Sequence, residues 1–173
     1  LEPGAAEGRL DAQLVATFGE TSGNGRLTKV ETIQADPDRR ELLVADEERR
    51  TLERYDERGR WVGTAVGPGL VLHEPEGIAL YRCGPVDGYW LVTDQDIERN
   101  VFHLLDRRSF RPLGVFRPQV TANTDGVTLT QSTLGGMPAG AFFAVHDDGA
   151  VGAFDWRDIA GALGLRADCG PEG

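Results

Sequence analysis

Apolar and polar side chains alternate over short stretches of this chain, and almost nowhere does the 3.6-residue period of a helix appear. Period-2 or short apolar runs fall near residues 12–18, 29–34, 41–45, 51–56, 60–66, 76–82, 88–93, 100–106, 112–116, 126–131, 140–146 and 150–154. Turn-forming sequences separate them: DPDR at 36–39, ERG at 57–59, GPVDG at 84–88 and DDG at 147–149. The pattern predicts an all-β protein. One short helix is expected after Asp155, whose carboxylate suits an N-cap before WRDIAGAL, with Gly164 as its stop.

The runs also repeat. Glu31, Glu76 and Asp125 each open an apolar alternating run, at spacings of 45 and 49 residues. A second acidic cluster follows each of them, in LLVADEE (42–48), WLVTDQD (90–96) and FFAVHDD (142–148), which start 48 and 52 residues apart. Each unit reads as four successive strands, and four strands in 45–50 residues match one blade of a β-propeller. The predicted architecture is one partial propeller domain over 1–173, with an edge strand at 9–20 and blade units at about 27–66, 73–116 and 121–165. Propellers close with 4–8 blades. Three blades therefore imply further ones, from a longer chain or a partner subunit, and the LEPGAAEG start, without an initiator Met, reads as a processed or partial chain.

Charge narrows the partners. The net charge of −10 and a single lysine, Lys29, argue against nucleic acid, which needs a cationic footprint. No run approaches the roughly 18 apolar residues of a membrane-spanning helix. Cys83 and Cys169 form no CxxC or Cys/His cluster, so zinc is not expected; the pair fits a long-range disulfide of a secreted or periplasmic protein, or two unrelated thiols. Repeat-equivalent carboxylates should gather on one face of the blades. There they would repel one another unless a hard cation such as Ca²⁺ intervened, or they would simply solvate turns.

Several motifs in order resemble one family. EPEGIALY (74–81), GYWLVTDQ (88–95), VFHLLDR (101–107), NTDGV (123–127), FFAVHDD and the closing FDWRDIAGAL (154–163) look like the C-terminal half of the β-propeller (alkaline, calcium-dependent) phytases. VETIQADPDRRELLVADEE (30–48) resembles an earlier segment of the same family, so that the similarity runs from about Leu27 to Leu165. The resemblance implies a six-bladed propeller and an acidic cleft holding several calcium ions, where water attacks a phosphate of inositol hexakisphosphate. By position it implies Glu47, Glu74, Glu76, Gln95 and Asp125 as calcium ligands, and Glu31, Glu47 and Glu76 as the catalytic carboxylates. Two departures stand out. Thr32 follows Glu31 where the family has glycine, and the phosphate-holding lysines and arginines of the family's N-terminal half have no counterpart here.

The function expected is thus a calcium-dependent phosphomonoester hydrolase acting on a phytate-like substrate outside the cytoplasm. A non-catalytic secreted propeller, serving as a binding or scaffold module, is the rival reading. A lactonase-like propeller hydrolase with one central calcium is a third. The absence of GxSxG, GxGxxG and P-loop motifs removes serine-hydrolase and nucleotide chemistry. Trp61, Trp90 and Trp156 are expected to pack between blades, His103 to pack in a strand, and Arg107 and Arg108 to form a turn. His146 occupies the repeat position of Asp46 and Asp94 and reads as an oxygen-ligand position lost.

Overall fold

In a computed structural model that describes residues 2–3, 10–19 and 22–170, the chain forms three antiparallel sheets and one helix. The first sheet is β3 (Val30–Asp36), β4 (Glu41–Asp46), β5 (Thr51–Asp56) and β6 (Trp61–Val66), following the two-residue strands β1 (Glu2–Pro3) and β2 (Leu10–Asp11), which pair with each other. The second sheet is β7 (Ile78–Cys83), β8 (Asp87–Asp94), β9 (Val101–Asp106) and β10 (Pro112–Phe116). β11 (Val127–Thr130), β12 (Ala141–His146) and β13 (Ala150–Asp155) make the third, and α1 (Trp156–Leu163) follows directly.

Every sheet is a meander, with strands side by side in chain order, and most of the turns are short and carry their own chemistry. Asp36 Oδ1 accepts the Arg39 N–H across the β3–β4 turn, and Asp106 Oδ1 accepts the Ser109 N–H after β9. The β12–β13 turn places Asp147 and Asp148 at φ 44° and 54°, a left-handed pair that matches the twist of a tight hairpin. The helix begins and ends as its sequence suggests: Asp155 accepts the Arg157 N–H as N-cap, and Gly164 closes it at φ 65°.

The edge strand expected at 9–20 is shorter than that. Only Leu10–Asp11 pairs; residues 12–19 form no strand and are exposed, and residues 9 and 20 lie outside the described set. Phe18 nonetheless anchors this stretch, with its ring 5.2 Å from that of Tyr55 on β5.

Two cores separate three layers. Leu43, Ala45, Leu52, Ile78, Trp90, Val92 and Leu105 fill the space between the first and second sheets. Ala79, Leu91, Phe102, Leu104, Phe142, Ala144 and Trp156 fill the space from the second sheet to the third and α1. β8 feeds both: Trp90 and Val92 point one way and Leu91 the other. A strand buried on both faces loses its polar alternation, hence the unbroken apolar run YWLV. Trp156 stacks on Tyr81 with ring centres 4.1 Å apart. Trp61 does not join either core. It shares a face with its cross-strand partner Tyr55, the side of the first sheet turned away from the second, and donates its Nε1–H to Glu53.

Two ties span the layers. The buried Arg107 reaches from the β9–β10 turn to Asp36 and Asp38 beside β3, and a disulfide joins Cys83 to Cys169. The first strands of the sheets lie next to one another, β7 touching both β3 and β11.

Candidate metal centre

The repeat-equivalent positions after β4 and β8 do different jobs from the last residues of those strands. Asp46, at the end of β4, accepts the Thr28 and Lys29 N–H groups at 2.7 and 3.4 Å. Asp94, at the end of β8, accepts the Leu72 and His73 N–H groups at 3.0 and 2.8 Å. His146 does the same at the end of β12, its Nδ1 accepting the Ala122 N–H at 3.2 Å. All three side chains therefore pin the loop that leads into their own sheet. His146 is not a lost oxygen ligand but an imidazole doing the work of a carboxylate acceptor. His103, packed as expected and 8 % exposed, sits with Nε2 3.4 Å from Asp94 Oδ2.

The residues one place further on face the shared end of the sheets. Glu47 follows β4, and its N–H donates to Lys29 O at 2.9 Å, which holds the start of β3 against the β4–β5 turn. Glu31 itself sits where the β3–β4 register slips between Val30 and Thr32, so it is the extra residue of a bulge. Bulges re-aim a side chain and recur beside functional sites. Glu76 arrives from the second sheet, just before β7. Its neighbour Gly77 cannot be larger: an added Cβ would stand 2.7 Å from Val127 Cγ2 and 2.8 Å from Thr93 Oγ1. Glu31, Glu47 and Glu76 thus converge, with one oxygen of each within 4.8 Å of the others.

The remaining sequence candidates lie outside that group. Gln95, buried after β8, donates its Nε2–H to Asp125 Oδ1 at 2.8 Å, linking the second sheet to the loop before the third. Glu74 is exposed, and its backbone carbonyl accepts the Gln95 N–H at 2.8 Å. So the three catalytic candidates meet, while Glu74, Gln95 and Asp125 form a flanking set.

Lys29 is the residue that sequence reasoning left unplaced. Its ammonium forms an ion pair with Glu47 and lies 3.2 Å from Glu31 Oε1. Those two carboxylates, Glu47 first, raise the Lys29 pKa above its ordinary value. In return Lys29 holds Glu47 below the usual carboxylate range, against the opposing effect of burial and with help from Glu31. Glu76 has no such counter-charge. Burial first, and then the charges of Glu31, Glu47, Glu74 and Asp125, push it up to about 7.

A test follows in chelated, metal-free protein. Ionised Glu76 is disfavoured in the folded state, so its contribution to stability is intact below its ordinary value of 4.5 and is lost as pH rises through about 7. Glu76→Gln keeps the shape of the protonated form. Its Tm should equal the wild type's near pH 4.5 and exceed it at pH 8; a variant that is less stable at pH 8 would refute the repulsion.

Neither a protein-family profile nor a curated protein sequence matches the chain.

Proposed function

We propose that the three sheets are blades of a propeller and that Glu31, Glu47 and Glu76 hold a calcium ion at its acidic end, in a phytase-type phosphomonoester hydrolase. The observation that carries this reading is the convergence of three carboxylates from two different sheets. Their spacing fits a cation that gathers oxygens at 2.3–2.6 Å, since two ligands on one ion stand up to about 5 Å apart. All the donors are hard oxygens, the set Ca²⁺ prefers over softer metals. The touching first strands β3, β7 and β11 are what blades around a common axis would give. The outer face of the third sheet adds support. There Phe143, Val145 and the 65 %-exposed Val151 border an apolar groove of about 270 Å³, a surface that a further blade would cover.

When bound, calcium would polarise a phosphoryl oxygen and lower the pKa of a neighbouring water. The chain's own residues set up that chemistry. Glu31 and Glu47 supply fixed negative charge, and the bulge and the Lys29–Glu47 backbone bond hold them in place. Glu76, poised near neutrality while metal-free, would become ionised as the cation arrives and is positioned to exchange a proton. Gln95 and Asp125 brace one another beside the centre. The disulfide between β7 and the C-terminal tail agrees with action in an oxidising compartment, secreted or periplasmic, and no described helix is long and apolar enough to cross a membrane.

One observation favours the non-catalytic reading. Lys29 already provides the Glu31–Glu47 pair with a cation of its own, so the cluster has a counter-charge without any metal. Phosphate release from inositol hexakisphosphate separates the two. With added Ca²⁺ the protein should release phosphate, and Glu76→Gln should reduce the rate by about a hundredfold or more. Tight Ca²⁺ binding with no phosphate release would leave a calcium-stabilised binding module.

A further inference from the structure

Residues 12–18 hold the place of a fourth strand but have no sheet to belong to. The segment ends at Phe18, 12 positions before β3 opens at Val30. β6 ends at Val66, 12 positions before β7 opens at Ile78, and β10 ends at Phe116, 11 positions before β11 opens at Val127. The last side chain of each fourth strand reaches the sheet that follows. Val66 packs in the core between the first and second sheets, and the Phe116 ring lies 6.3 Å from that of Phe154 in the third. Phe154 is the last residue but one of β13, as Tyr55 is of β5, and the Phe18 ring stands 5.2 Å from Tyr55. Phe18 therefore meets the first sheet as Phe116 meets the third. It sits where the outermost strand of a preceding sheet would end. Yet residues 12–18 join no strand among the described residues, and Leu14 and Val15 are 76 % and 94 % exposed.

The third sheet has the converse deficiency. It has three strands where the first and second have four, and its edge strand β13 pairs only with β12. Such an edge presents a row of N–H and C=O groups that another strand can bind. The outer face of this sheet is apolar as well. Phe143 and Val145 occupy the positions in β12 that Leu43 and Ala45 occupy in β4, and those two are buried against the second sheet. The first sheet offers a matching surface on the side turned away from the second, where Ile33, opposite Val44, is 50 % exposed.

We propose that these two surfaces meet between two copies of the chain. Residues 12–18 of one copy pair with β13 of the other as its fourth strand, and the outer face of that third sheet packs on the first sheet of the first copy. The geometry rests on the propeller reading given above. β13 runs away from the acidic end and residues 12–18 lead back to it, so the pairing is antiparallel, as β5–β6 and β9–β10 are. A head-to-tail contact makes a closed assembly only when its rotation completes a circle. Two copies of three sheets give six, a number at which propellers close, and both junctions are then identical. Self-complementarity selects a second copy as the occupant: one chain carries both the unpaired strand and the sheet that lacks one.

Light scattering on the 173-residue chain should give twice its 18.8 kDa mass, falling to a single copy on dilution. Amides of residues 12–18 and 150–155 should gain protection from exchange as concentration rises. Val151→Lys, which places a charge beside the β13 edge, and Ala16→Pro, which removes an N–H from the incoming strand, should each weaken the dimer about tenfold or more. Both positions are exposed in the single copy, so the Tm of dilute protein should stay unchanged. Mixing the two variants should restore association, because one junction of the mixed pair joins an unaltered strand to an unaltered β13. A chain that remains a monomer up to millimolar concentration assigns the two faces to sheets other than its own and overturns the second copy. A dimer that Val151→Lys leaves intact overturns the pairing with the third sheet. Calcium titration of the same samples is a separate reading: a monomer that binds calcium overturns the interface and leaves the carboxylate centre standing, and a dimer that binds none does the reverse.

Discussion

Replacing Arg107 by methionine should lower the unfolding free energy by about 3–5 kcal/mol, the range for breaking a buried charge pair from one side. Arg107 is fully buried and all five of its N–H donors are engaged. Nε donates to Asp36 at 2.7 Å, Nη1 to the carbonyls of Gly84 and Asp87 at 2.8 and 3.0 Å, and Nη2 to Asp36 and to Asp38. Its own carbonyl accepts from Trp90 Nε1 at 3.2 Å and from Arg39 Nη1 at 2.6 Å. One side chain thus binds the turn of the first sheet to two turns of the second. Methionine fills the space but leaves Asp36, itself wholly buried, without a counter-charge.

The pH dependence of that loss identifies its cause. Arg107, more than any other group, holds the Asp38 carboxyl below its ordinary 3.8. A depressed carboxylate contributes stability that is complete above its ordinary pKa and disappears as pH falls through the folded-state value. The variant lacks this contribution, so the gap between wild type and Arg107→Met should narrow as pH falls below 4. Urea denaturation at pH 7 and pH 3.5 would show it. Adding Asp36→Leu should recover part of the loss, because two apolar groups replace a charge no longer paired. A loss below 1 kcal/mol at pH 7 would mean that water hydrates the site, and would remove Arg107 as the tie between sheets.

The contrast between Arg107 and the strands shows where sequence reading reaches its limit. Each strand of the three sheets was legible to within one or two residues, because alternation and turn chemistry are local and most of the hairpins close over a few residues. Asp155 and Gly164 bounded the helix for the same reason. The strand expected at 12–18 had the right alternation, but no neighbouring strand pairs with it, and alternation carries no information on pairing. Arg107 and Asp36 are 71 residues apart and neither breaks a pattern, so one arginine among seventeen gave no signal. The site was legible at the level of repeats. Equivalent spacing foretold that Glu31, Glu76 and Asp125 would gather; Glu31 and Glu76 do meet, with Glu47 from the second acidic position, whereas Asp125 stands aside on Gln95. It could not tell Asp46 from Glu47, adjacent acids of which the first pins backbone N–H groups and the second faces the centre. That split depends on the strand ending between them. Lys29 was visible as the one lysine, yet its place between two glutamates depends on the bulge at Glu31.

Severing the other tie should have a comparable effect. Cys83 and Cys169 are bonded across a separation of 86 residues, a loop holding three strands of the second sheet, the whole third sheet and the helix. On the chain-entropy account, opening a loop of that length releases about 4.6 kcal/mol of restraint on the unfolded chain. For a domain of this size that corresponds to a fall in Tm of roughly 10 °C. The loss should begin at the third sheet. That sheet has only three strands, and Val151 on its outer face is 65 % exposed. Its attachment to the second sheet runs through Phe142, Ala144 and Trp156, through the β7–β11 contact, and through the tail that the disulfide fixes. The tail is then held by the packing of Leu165 and Ala167 on the core and by hydrogen bonds: Cys169 O accepts from Tyr81 Oη at 3.2 Å and Gln131 Nε2 at 3.1 Å, and Arg166 N–H donates to Tyr89 Oη at 3.1 Å. In the Cys83→Ser, Cys169→Ser double variant, amide exchange should accelerate first in residues 141–170 while the β3–β6 hairpins stay protected. Equal acceleration in all three sheets would show that they unfold as one unit and that the disulfide acts on the unfolded chain alone. An unchanged Tm would show that core packing and the tail's hydrogen bonds suffice to hold the third sheet in place.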